Sequence, residues 1–171
     1  MLVTGNTLTV YDSVVETNFA ANEAGGSDVD DGGGGIYIIG GHLELIQSSV
    51  SSNSTLGNAG GLLIKNANAQ ILHSTVQANA SAYLAGGIYS QASTEIAGSK
   101  VCANSLSQIV GAYVNAGGNS IENNCDSLIG ACCVASPDLA EVCLFTDSSD
   151  CAVAGGQWHG AGTSCTTDSP C

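Results

Sequence analysis

A pattern of eleven residues occurs four times in this chain, and the four copies align without a gap. The copies are Leu8–Asn18, Leu43–Asn53, Ala69–Asn79 and Thr94–Asn104, and a weaker fifth copy ends at Ile121–Asn124. Their shared columns hold an aliphatic residue (Val10, Leu45, Ile71, Ile96), a serine (Ser13, Ser48, Ser74, Ser99), a valine (Val15, Val50, Val76, Val101) and an asparagine (Asn18, Asn53, Asn79, Asn104). Such an internal repeat predicts an array of similar units that stack on one another.

The alternation of apolar and polar residues inside each copy has the period of a half-buried β-strand, as in Leu43-Glu44-Leu45. A third short strand is expected after the glycines, as in Gly35-Ile36-Tyr37. Glycine accounts for 23 of the 171 residues, which favours strands and turns over helices. Three short strands cannot bury a core alone, so we expect successive units to stack in parallel about 4.8 Å apart, with equivalent residues in ladders. The prediction is an all-β solenoid of about five coils.

The bends between strands have their own sequence signals. The residue before each column serine is Asp12, Gln47, His73 or Gly98, and Asp, His and Gly are among the residues that tolerate a left-handed backbone. We expect the column asparagines to form a second bend and their side-chain amides to hydrogen-bond from coil to coil. The column serines should point inward, with their hydroxyl groups bonded along the ladder or to a backbone carbonyl.

The pattern LxLxxSxVxxN, followed by the glycine-rich stretch Gly32–Tyr37 (GGGGIY), resembles the right-handed parallel β-helix repeats of bacterial secreted and outer-membrane proteins. These include polymorphic outer-membrane-protein-like and autotransporter-type passengers. The resemblance covers residues 1–126 and implies a right-handed parallel β-helix there. The fourth coil departs from the pattern, because Val110–Val114 lacks the double glycine and a gapless alignment turns Tyr113 inward.

A second region, residues 127–171, contains six of the eight cysteines: Cys132, Cys133, Cys143, Cys151, Cys165 and Cys171. It resembles short cysteine-rich modules at the C-termini of some exported bacterial proteins. A region this short cannot build a self-sufficient core, so we expect a small disulfide-rich module. Six cysteines allow 15 pairings, and the sequence does not choose among them. Zinc is the alternative, although adjacent cysteines and a lone His159 do not have the usual ligand spacing.

The remaining cysteines, Cys102 and Cys125, lie near the corner asparagines Asn104 and Asn124 of successive copies. A rise of about 4.8 Å per coil lies within the Cα separation that a disulfide requires, so we predict that Cys102 and Cys125 are bonded. Eight cysteines favour an oxidising compartment. We therefore expect an extracellular or cell-surface protein, and we expect this chain, which shows no leader, to be the C-terminal part of a longer exported precursor.

The charge balance excludes one class of partner. Two lysines stand against 15 acidic residues, giving a net charge of −13, and nucleic-acid binding depends on cations that displace counterions. We therefore expect no nucleic-acid partner. No apolar run approaches the roughly 18 residues of a membrane-spanning helix, so no membrane span is expected either.

Candidate catalytic groups are sparse. A lyase needs a cation beside carboxylates, but Lys65 and Lys100 have no carboxylate cluster in their own or adjacent copies. Glu44 and Glu95 share an outward column, yet Gln70 separates them. Two rises place the two glutamates about 9.6 Å apart in total, which exceeds the separation of the two carboxylates in a glycosidase. The interpretation we favour is that these glutamates are ordinary solvated groups.

The histidines give no stronger signal. His73 and Asp12 share a corner column, which resembles a base with its orienting carboxylate, but Gln47 intervenes and a bend already explains that column. His42 and His159 have no evident partner in the sequence. No catalytic residue is therefore predicted.

A long acidic connector follows the first copy and contains Asp28, Asp30 and Asp31 among glycines. Carboxylate oxygens in such a loop are ligands that Ca²⁺ prefers, so these three residues are the candidate metal site. The alternative is an acidic loop that only keeps the surface polar. No other cofactor is expected.

Two tyrosines are candidates for stacking on sugar rings. Tyr37, Leu63 and Tyr89 follow the glycines in successive copies and should point outward, and an aromatic face packs against a sugar ring. The alternative for Tyr37 and Tyr89 is ordinary surface packing.

Together these features predict a non-catalytic extracellular or cell-surface structural or adhesive β-helix protein. The alternative is a polysaccharide-binding module, or a lyase or hydrolase acting on polysaccharides, that uses the coil exterior. Partners would be extracellular glycans or the cell envelope. The first coil has no evident cap, so its open sheet edge predicts end-to-end self-association or additional upstream coils.

Overall fold

The structure is a computed structural model that describes residues 1–21, 32–125, 130–135, 142–146 and 148–159. The chain forms two compact units, unit 1 (Met1–Cys125) and unit 2 (Asp126–Cys171). This division lies one residue before the boundary that the sequence suggests. Unit 1 contains the repeats and unit 2 the C-terminal cysteines, and each is described by itself.

Unit 1 consists of five repeats of short strands. Repeat 1 contains β1 (Leu2–Thr4), β2 (Thr7–Tyr11), β3 (Val14–Glu16) and β4 (Phe19–Ala20). Repeat 2 contains β5 (Ile36–Ile39), β6 (His42–Ile46), β7 (Ser49–Ser51) and β8 (Ser54–Thr55). Repeat 3 contains β9 (Leu62–Lys65), β10 (Asn68–Leu72), β11 (Thr75–Gln77) and β12 (Ala80–Ser81). Repeat 4 contains β13 (Ile88–Ser90), β14 (Thr94–Ala97) and β15 (Lys100–Cys102), and repeat 5 contains β16 (Ile109–Val110), β17 (Tyr113–Asn115) and β18 (Ser120–Glu122).

Every repeat contributes one strand to each of three parallel sheets. Sheet A has the order β1-β5-β9-β13-β16, sheet B β2-β6-β10-β14-β17 and sheet C β3-β7-β11-β15-β18. A fourth parallel sheet, D, contains the two-residue strands β4, β8 and β12 that follow the asparagine in repeats 1 to 3. The sequence predicts only three strands per unit, because a two-residue strand is too short to show an alternating pattern.

The predicted stacking of equivalent residues is present. In sheet C, Val76 is paired in register with Val50 on one side and Val101 on the other. In sheet B, Ile71 is paired with Leu45 and Ile96. These columns face the interior, where the large residues of repeats 2 to 4 are fully buried, including Ile38, Leu43, Leu45, Val50, Ile64, Ile71, Val76, Ile88, Ile96 and Val101. Because the strands are one rise apart, each apolar column is a continuous strip of core.

The register of repeat 5 differs from the gapless alignment. Ile109 is paired with Ile88, and Tyr113 starts β17 opposite Thr94 instead of entering the interior of sheet A. Tyr113 thus joins the inward column of Thr94 in sheet B, and it is still 40% exposed because β17 is the outermost strand of that sheet. Gly111, which the alignment places with the interior glycines, lies at a turn with φ of 106°. The reason is a shorter connection after Asn104, which a gapless alignment cannot represent.

The first predicted bend is present and the second is displaced by one residue. Asp12, Gln47, His73 and Gly98 all have a left-handed backbone, with φ between 45° and 57°. At the second corner the left-handed residues are not the asparagines but the residues before them, Thr17, Ser52, Ala78 and Ala103. Asn53 and Asn79 are instead buried with their side chains inside the corner. The amide ladder described below holds the corner, so the bend falls on whichever residue precedes the asparagine.

Unit 2 contains a small antiparallel sheet of order β20-β19-β21, formed by β19 (Gly130–Val134), β20 (Val142–Thr146) and β21 (Gln157–Trp158). A short helix, α1 (Ser148–Val153), lies between β20 and β21. Cys132 of β19 is bonded to Cys151 of α1, with 5.6 Å between their Cα atoms, and both are fully buried. Cys133 and Cys143 each take part in a disulfide as well. Disulfides rather than zinc therefore engage these four cysteines, while Cys165 and Cys171 lie outside the described residues.

In unit 1 the predicted disulfide between Cys102 and Cys125 is present, with 5.0 Å between the Cα atoms. It joins the end of β15 in repeat 4 to the end of repeat 5. The Lys100 ammonium group donates a hydrogen bond to the Cys125 carbonyl oxygen beside it. No helix among the described residues is long and apolar enough to cross a membrane.

Candidate functional site

A ladder of asparagine side chains runs through the second corner of repeats 1 to 4. The amide oxygen of Asn79 accepts hydrogen bonds from both the backbone N–H and the side-chain amide of Asn53, at 2.9 and 3.0 Å. Asn53 receives the same pair from Asn18, and Asn104 the same pair from Asn79. Each inner amide also donates to a backbone carbonyl of the preceding repeat, as Asn79 does to Val50 at 2.9 Å. The predicted coil-to-coil amide bonding is thus present.

A parallel ladder of serines runs through the first corner. The hydroxyl oxygens of Ser48, Ser74 and Ser99 each accept the backbone N–H of the preceding column serine, at 3.0 to 3.1 Å. Each of these hydroxyl groups donates in turn to the carbonyl two residues before it, at 2.7 to 2.8 Å. The three serines are at most 5% exposed, so the ladder satisfies polar groups that water cannot reach.

Two side chains that the sequence does not single out terminate these ladders. The Gln108 amide oxygen accepts from the backbone N–H and the side chain of Asn104, at 3.1 and 2.8 Å. The Asn119 amide oxygen accepts from the backbone N–H of Ser99 at 2.8 Å. Asn119 stands five residues before Asn124, which is the serine position of the fifth copy, so the repeat alignment held a signal for it. The sequence held no such signal for Gln108, because this residue lies in the connection between two copies and belongs to none of the aligned columns.

The tyrosine candidates lie in one ladder of sheet A. Tyr37 and Tyr89 are each paired with Leu63, on opposite sides of it. Both tyrosines are half-buried, but Leu63 is only 1% exposed, contrary to the expectation that it lies on the outer surface. The two rings are therefore separated by a residue that is closed to solvent, and they do not form an open apolar stripe together with it.

A cleft opens on one side of this ladder, between repeats 4 and 5. It has a volume of about 400 Å³ and is lined by Ser90, Gln91, Ala92, Ser93, Ala112, Tyr113 and Val114. Four residues of repeat 4 (90–93) lie opposite two residues of repeat 5 (111 and 112), because Tyr89 is paired with Val110 and Thr94 with Tyr113. The shorter turn of repeat 5 leaves the space that forms the cleft.

The cleft brings together an aromatic ring and polar groups. Tyr113 presents a partly exposed ring at its wall. The Gln91 amide donates to the hydroxyl oxygen of Tyr89 at 3.1 Å, which connects the predicted Tyr89 to the cleft. Tyr37 belongs to repeat 2 and is not a lining residue. Of the two predicted tyrosines, Tyr89 thus lies beside the cleft, and Tyr113, which the sequence does not propose for stacking, lines it.

The acidic column of sheet B is occupied by hydrogen bonds along the ladder. Gln70 is paired with Glu44 on one side and Glu95 on the other, as the sequence predicts. Glu44 accepts from the Thr9 hydroxyl at 2.8 Å, and Glu95 accepts from the Gln70 amide at 3.2 Å. His42, for which the sequence shows no partner, lies with its Nε2 3.8 Å from a Glu44 carboxylate oxygen. The two carboxylates do not converge on a common point.

The other candidates do not assemble into a site within the described residues. Asp12 and His73 remain two repeats apart in the first corner, with Gln47 between them. No group of three or more His, Cys, Asp or Glu residues in the described part of the chain is arranged to hold a metal ion. Asp28, Asp30 and Asp31 lie outside the described residues, so Ca²⁺ binding there stays a prediction.

Comparison of the chain with protein-family models, with curated proteins and with solved structures finds no match.

Proposed function

We propose that unit 1 is a right-handed parallel β-helix and that the protein is a non-catalytic structural or adhesive component of the cell surface or the extracellular space. The observation that carries this proposal is the pair of ladders, in which serines and asparagines satisfy one another along repeats 1 to 4. Such columns stabilise a rod, and they leave few polar side chains in the corners for other chemistry.

The connections between strands support right-handed coiling. Successive strands of sheet A, such as β5 and β9, are parallel neighbours joined through strands of the other sheets. Crossover connections between parallel strands of one sheet are right-handed in about 98% of cases. Right-handed coiling also agrees with the resemblance of the repeat pattern to the β-helices of bacterial secreted and outer-membrane proteins.

The proposed location follows from the cysteine chemistry. Cys102–Cys125 and Cys132–Cys151 are disulfides, and disulfides persist mainly in oxidising compartments. One closes the end of the repeat array and the other holds together a unit with a small sheet. Both suit a protein that must keep its shape outside the cell.

Glycan binding is the second candidate function, and the cleft between repeats 4 and 5 is the observation that favours it. A concave site of about 400 Å³ has the volume of a small-molecule pocket. Tyr113 offers a ring on which a sugar can stack, and Gln91 offers an amide for its hydroxyl groups. Because the chain carries a net charge of −13, neutral saccharides fit this surface better than polyanions.

A glycan array combined with lyase and reducing-sugar assays separates the two candidates. A passive scaffold gives neither binding nor product release. A glycan-binding module gives array signals that Tyr113→Ala weakens at least tenfold, while Tyr83→Ala, at a tyrosine that is 59% exposed outside the cleft, leaves them unchanged. Turnover of any polysaccharide would contradict the non-catalytic proposal.

A further inference from the structure

The corner between sheets A and B becomes shorter along unit 1. Between the same in-register pairs, this corner contains five residues in repeat 2 (38–42) and repeat 3 (64–68), four in repeat 4 (90–93) and two in repeat 5 (111–112). The cleft lies where the shortening is greatest, and all its lining residues belong to repeats 4 and 5. It therefore occupies a single step of the array, which is about 4.8 Å along the axis.

The cleft does not continue toward repeat 3. The corner of repeat 3 is one residue longer than that of repeat 4, so the surface steps outward there. In the ladder of sheet A, the residue that follows Tyr89 in this direction is Leu63, which is only 1% exposed. A polymer lying along the array would therefore find neither a groove nor an apolar contact beyond the cleft. The site is blind on this side.

The hydroxyl groups at the floor of the cleft are already engaged. Ser90 is 3% exposed, and its hydroxyl oxygen lies 2.7 Å from the Thr94 hydroxyl oxygen and 2.8 Å from the Ala92 carbonyl oxygen. Thr94 is fully buried. Because these groups satisfy one another, a ligand must find its polar contacts at the rim instead.

The rim has a polar side and an apolar side. The exposed Gln91 donates one amide hydrogen to the Tyr89 hydroxyl oxygen, and it keeps an oxygen acceptor and a second N–H donor. Ser93, also exposed, adds a hydroxyl group. Residues 112–114 supply the apolar side, with the ring of Tyr113. A sugar ring, which has an apolar face and an edge of hydroxyl groups, matches this division.

The charge around the cleft disfavours acidic sugars. None of the lining side chains is charged. Glu95 is paired in register with Val114, so a carboxylate lies on the strand next to the apolar side. A uronic acid or another anionic sugar would be repelled by this group and by the net charge of −13.

We propose that the cleft binds the terminal unit of a neutral glycan, so that the protein recognises chain ends and not internal stretches of a polysaccharide. This inference rests on glycan binding, the second candidate function above, and specifies the class of ligand. The sugar ring packs against Tyr113, Gln91 and Ser93 bind its hydroxyl groups, and the blind side stops the chain. A volume of about 400 Å³, at the lower end of the range for ligand pockets, fits one or two sugar units.

Competition at equal mass tests recognition of chain ends. A neutral polysaccharide built of units bound on the array is used as a competitor, intact and after partial hydrolysis to short oligosaccharides. Hydrolysis multiplies the ends and keeps the mass, so a roughly tenfold increase in ends should raise the competition about tenfold. Unchanged or weaker competition overturns the inference and leaves glycan binding intact. No signal from any glycan on the array removes the second candidate function and the inference with it.

Substitutions in the cleft test the site. Ala112→Trp fills the cleft from an exposed position and should weaken binding of the oligosaccharides at least tenfold, and Gln91→Ala should weaken it at least threefold. Asn68→Ala, at an exposed amide outside the cleft, is the matched control and should change nothing. Urea unfolding verifies that each variant is folded. Binding that survives Ala112→Trp in a folded protein would place the ligand elsewhere and overturn the proposal.

Glu95→Gln tests the preference for neutral sugars. Two oligosaccharides that differ only in a terminal glucose or glucuronic acid are compared, and the acidic one should compete at least tenfold less well. In Glu95→Gln, or in added salt, this difference should shrink at least threefold. Equal competition by the two oligosaccharides in the original protein would contradict the proposed ligand class.

Discussion

At the scale of single residues, buried amide side chains hold the repeats together as much as apolar ones do. Asn79 is 1% exposed and takes part in five hydrogen bonds. Its side-chain oxygen accepts two, its side-chain amide donates two, and its backbone N–H donates one. Few side chains other than an amide can accept two bonds and donate two from the same position. The asparagine column is therefore a structural requirement of the corner.

Replacing Asn79 by alanine leaves the Asn53 N–H and the Val50 carbonyl without their partners in a corner closed to water. We expect the free energy of unfolding to fall by about 3 kcal/mol, because each unsatisfied buried group costs about 1 to 3 kcal/mol. Urea unfolding of the oxidised protein measures this change. Asn18→Ala, at the exposed start of the same ladder, is the matched control and should cost about 1 kcal/mol or less. Equal losses at the two positions would contradict the role of burial.

At the scale of strands and their connections, the paired glycines directly before β5, β9 and β13 reflect close approach of the backbone and not an unusual conformation. Gly60 has no positive φ, but a Cβ atom there would lie 2.5 Å from the Ala80 carbonyl oxygen and 2.6 Å from the Gly86 carbonyl oxygen. The chain thus passes directly against the next repeat as it enters β9. A side chain at this point would separate the repeats.

Gly60→Ala is therefore expected to lower the free energy of unfolding by about 3 kcal/mol or more, since a backbone clash cannot be relieved by a rotamer change. Gly5→Ala is the control: Gly5 has φ of 68° but nothing within 4 Å of an added Cβ atom. That substitution should cost only the conformational term of about 1 to 2 kcal/mol. Thermal or urea unfolding of both variants compares close approach with backbone strain, and a larger loss at Gly5 would refute the interpretation.

At the scale of the whole molecule, each repeat of unit 1 packs only against the repeats directly before and after it. The local stability should therefore vary from repeat to repeat along the array. Repeats 2 and 3 have complete repeats on both sides. Among the described residues, β1 to β4 of repeat 1 are the outermost strands of their sheets, and repeat 4 contributes no strand to sheet D. The disulfide between Cys102 and Cys125 joins the last two repeats, where the ladders end.

Replacing both Cys102 and Cys125 by alanine should lower the stability of the C-terminal end of unit 1 by about 3 kcal/mol, the chain-entropy estimate for a loop of this length. Hydrogen exchange is expected to accelerate in β15 and β18 and to change little in β7, which lies two repeats away from β15. The wild-type protein with and without a reducing agent provides a second comparison for the same strands. Uniform acceleration across all repeats would indicate that unit 1 unfolds as one cooperative block instead.

The candidate sites differ in how far the sequence could predict them. Counting residues between repeat positions was enough to place Gln70 between Glu44 and Glu95. The same count paired Cys102 with Cys125. The cleft did not, because it arises from two unequal turns, residues 90–93 and residues 111–112, whose lengths only become comparable once β13 and β16 are paired. For the same reason the gapless alignment set Tyr113 at the position of Ile88 in sheet A, whereas it is paired with Thr94 in sheet B.

The amino-acid sequence by itself determined the stacking of the repeats, the inward columns and the left-handed first corner, because a strict period forces equivalent residues into the same environment. Only the tertiary structure decided where that period fails: the left-handed residue before each asparagine, the shortened repeat 5 and the roles of Gln108 and Asn119. At those places the hydrogen-bonding needs of a neighbouring repeat, and not the local sequence, choose the conformation.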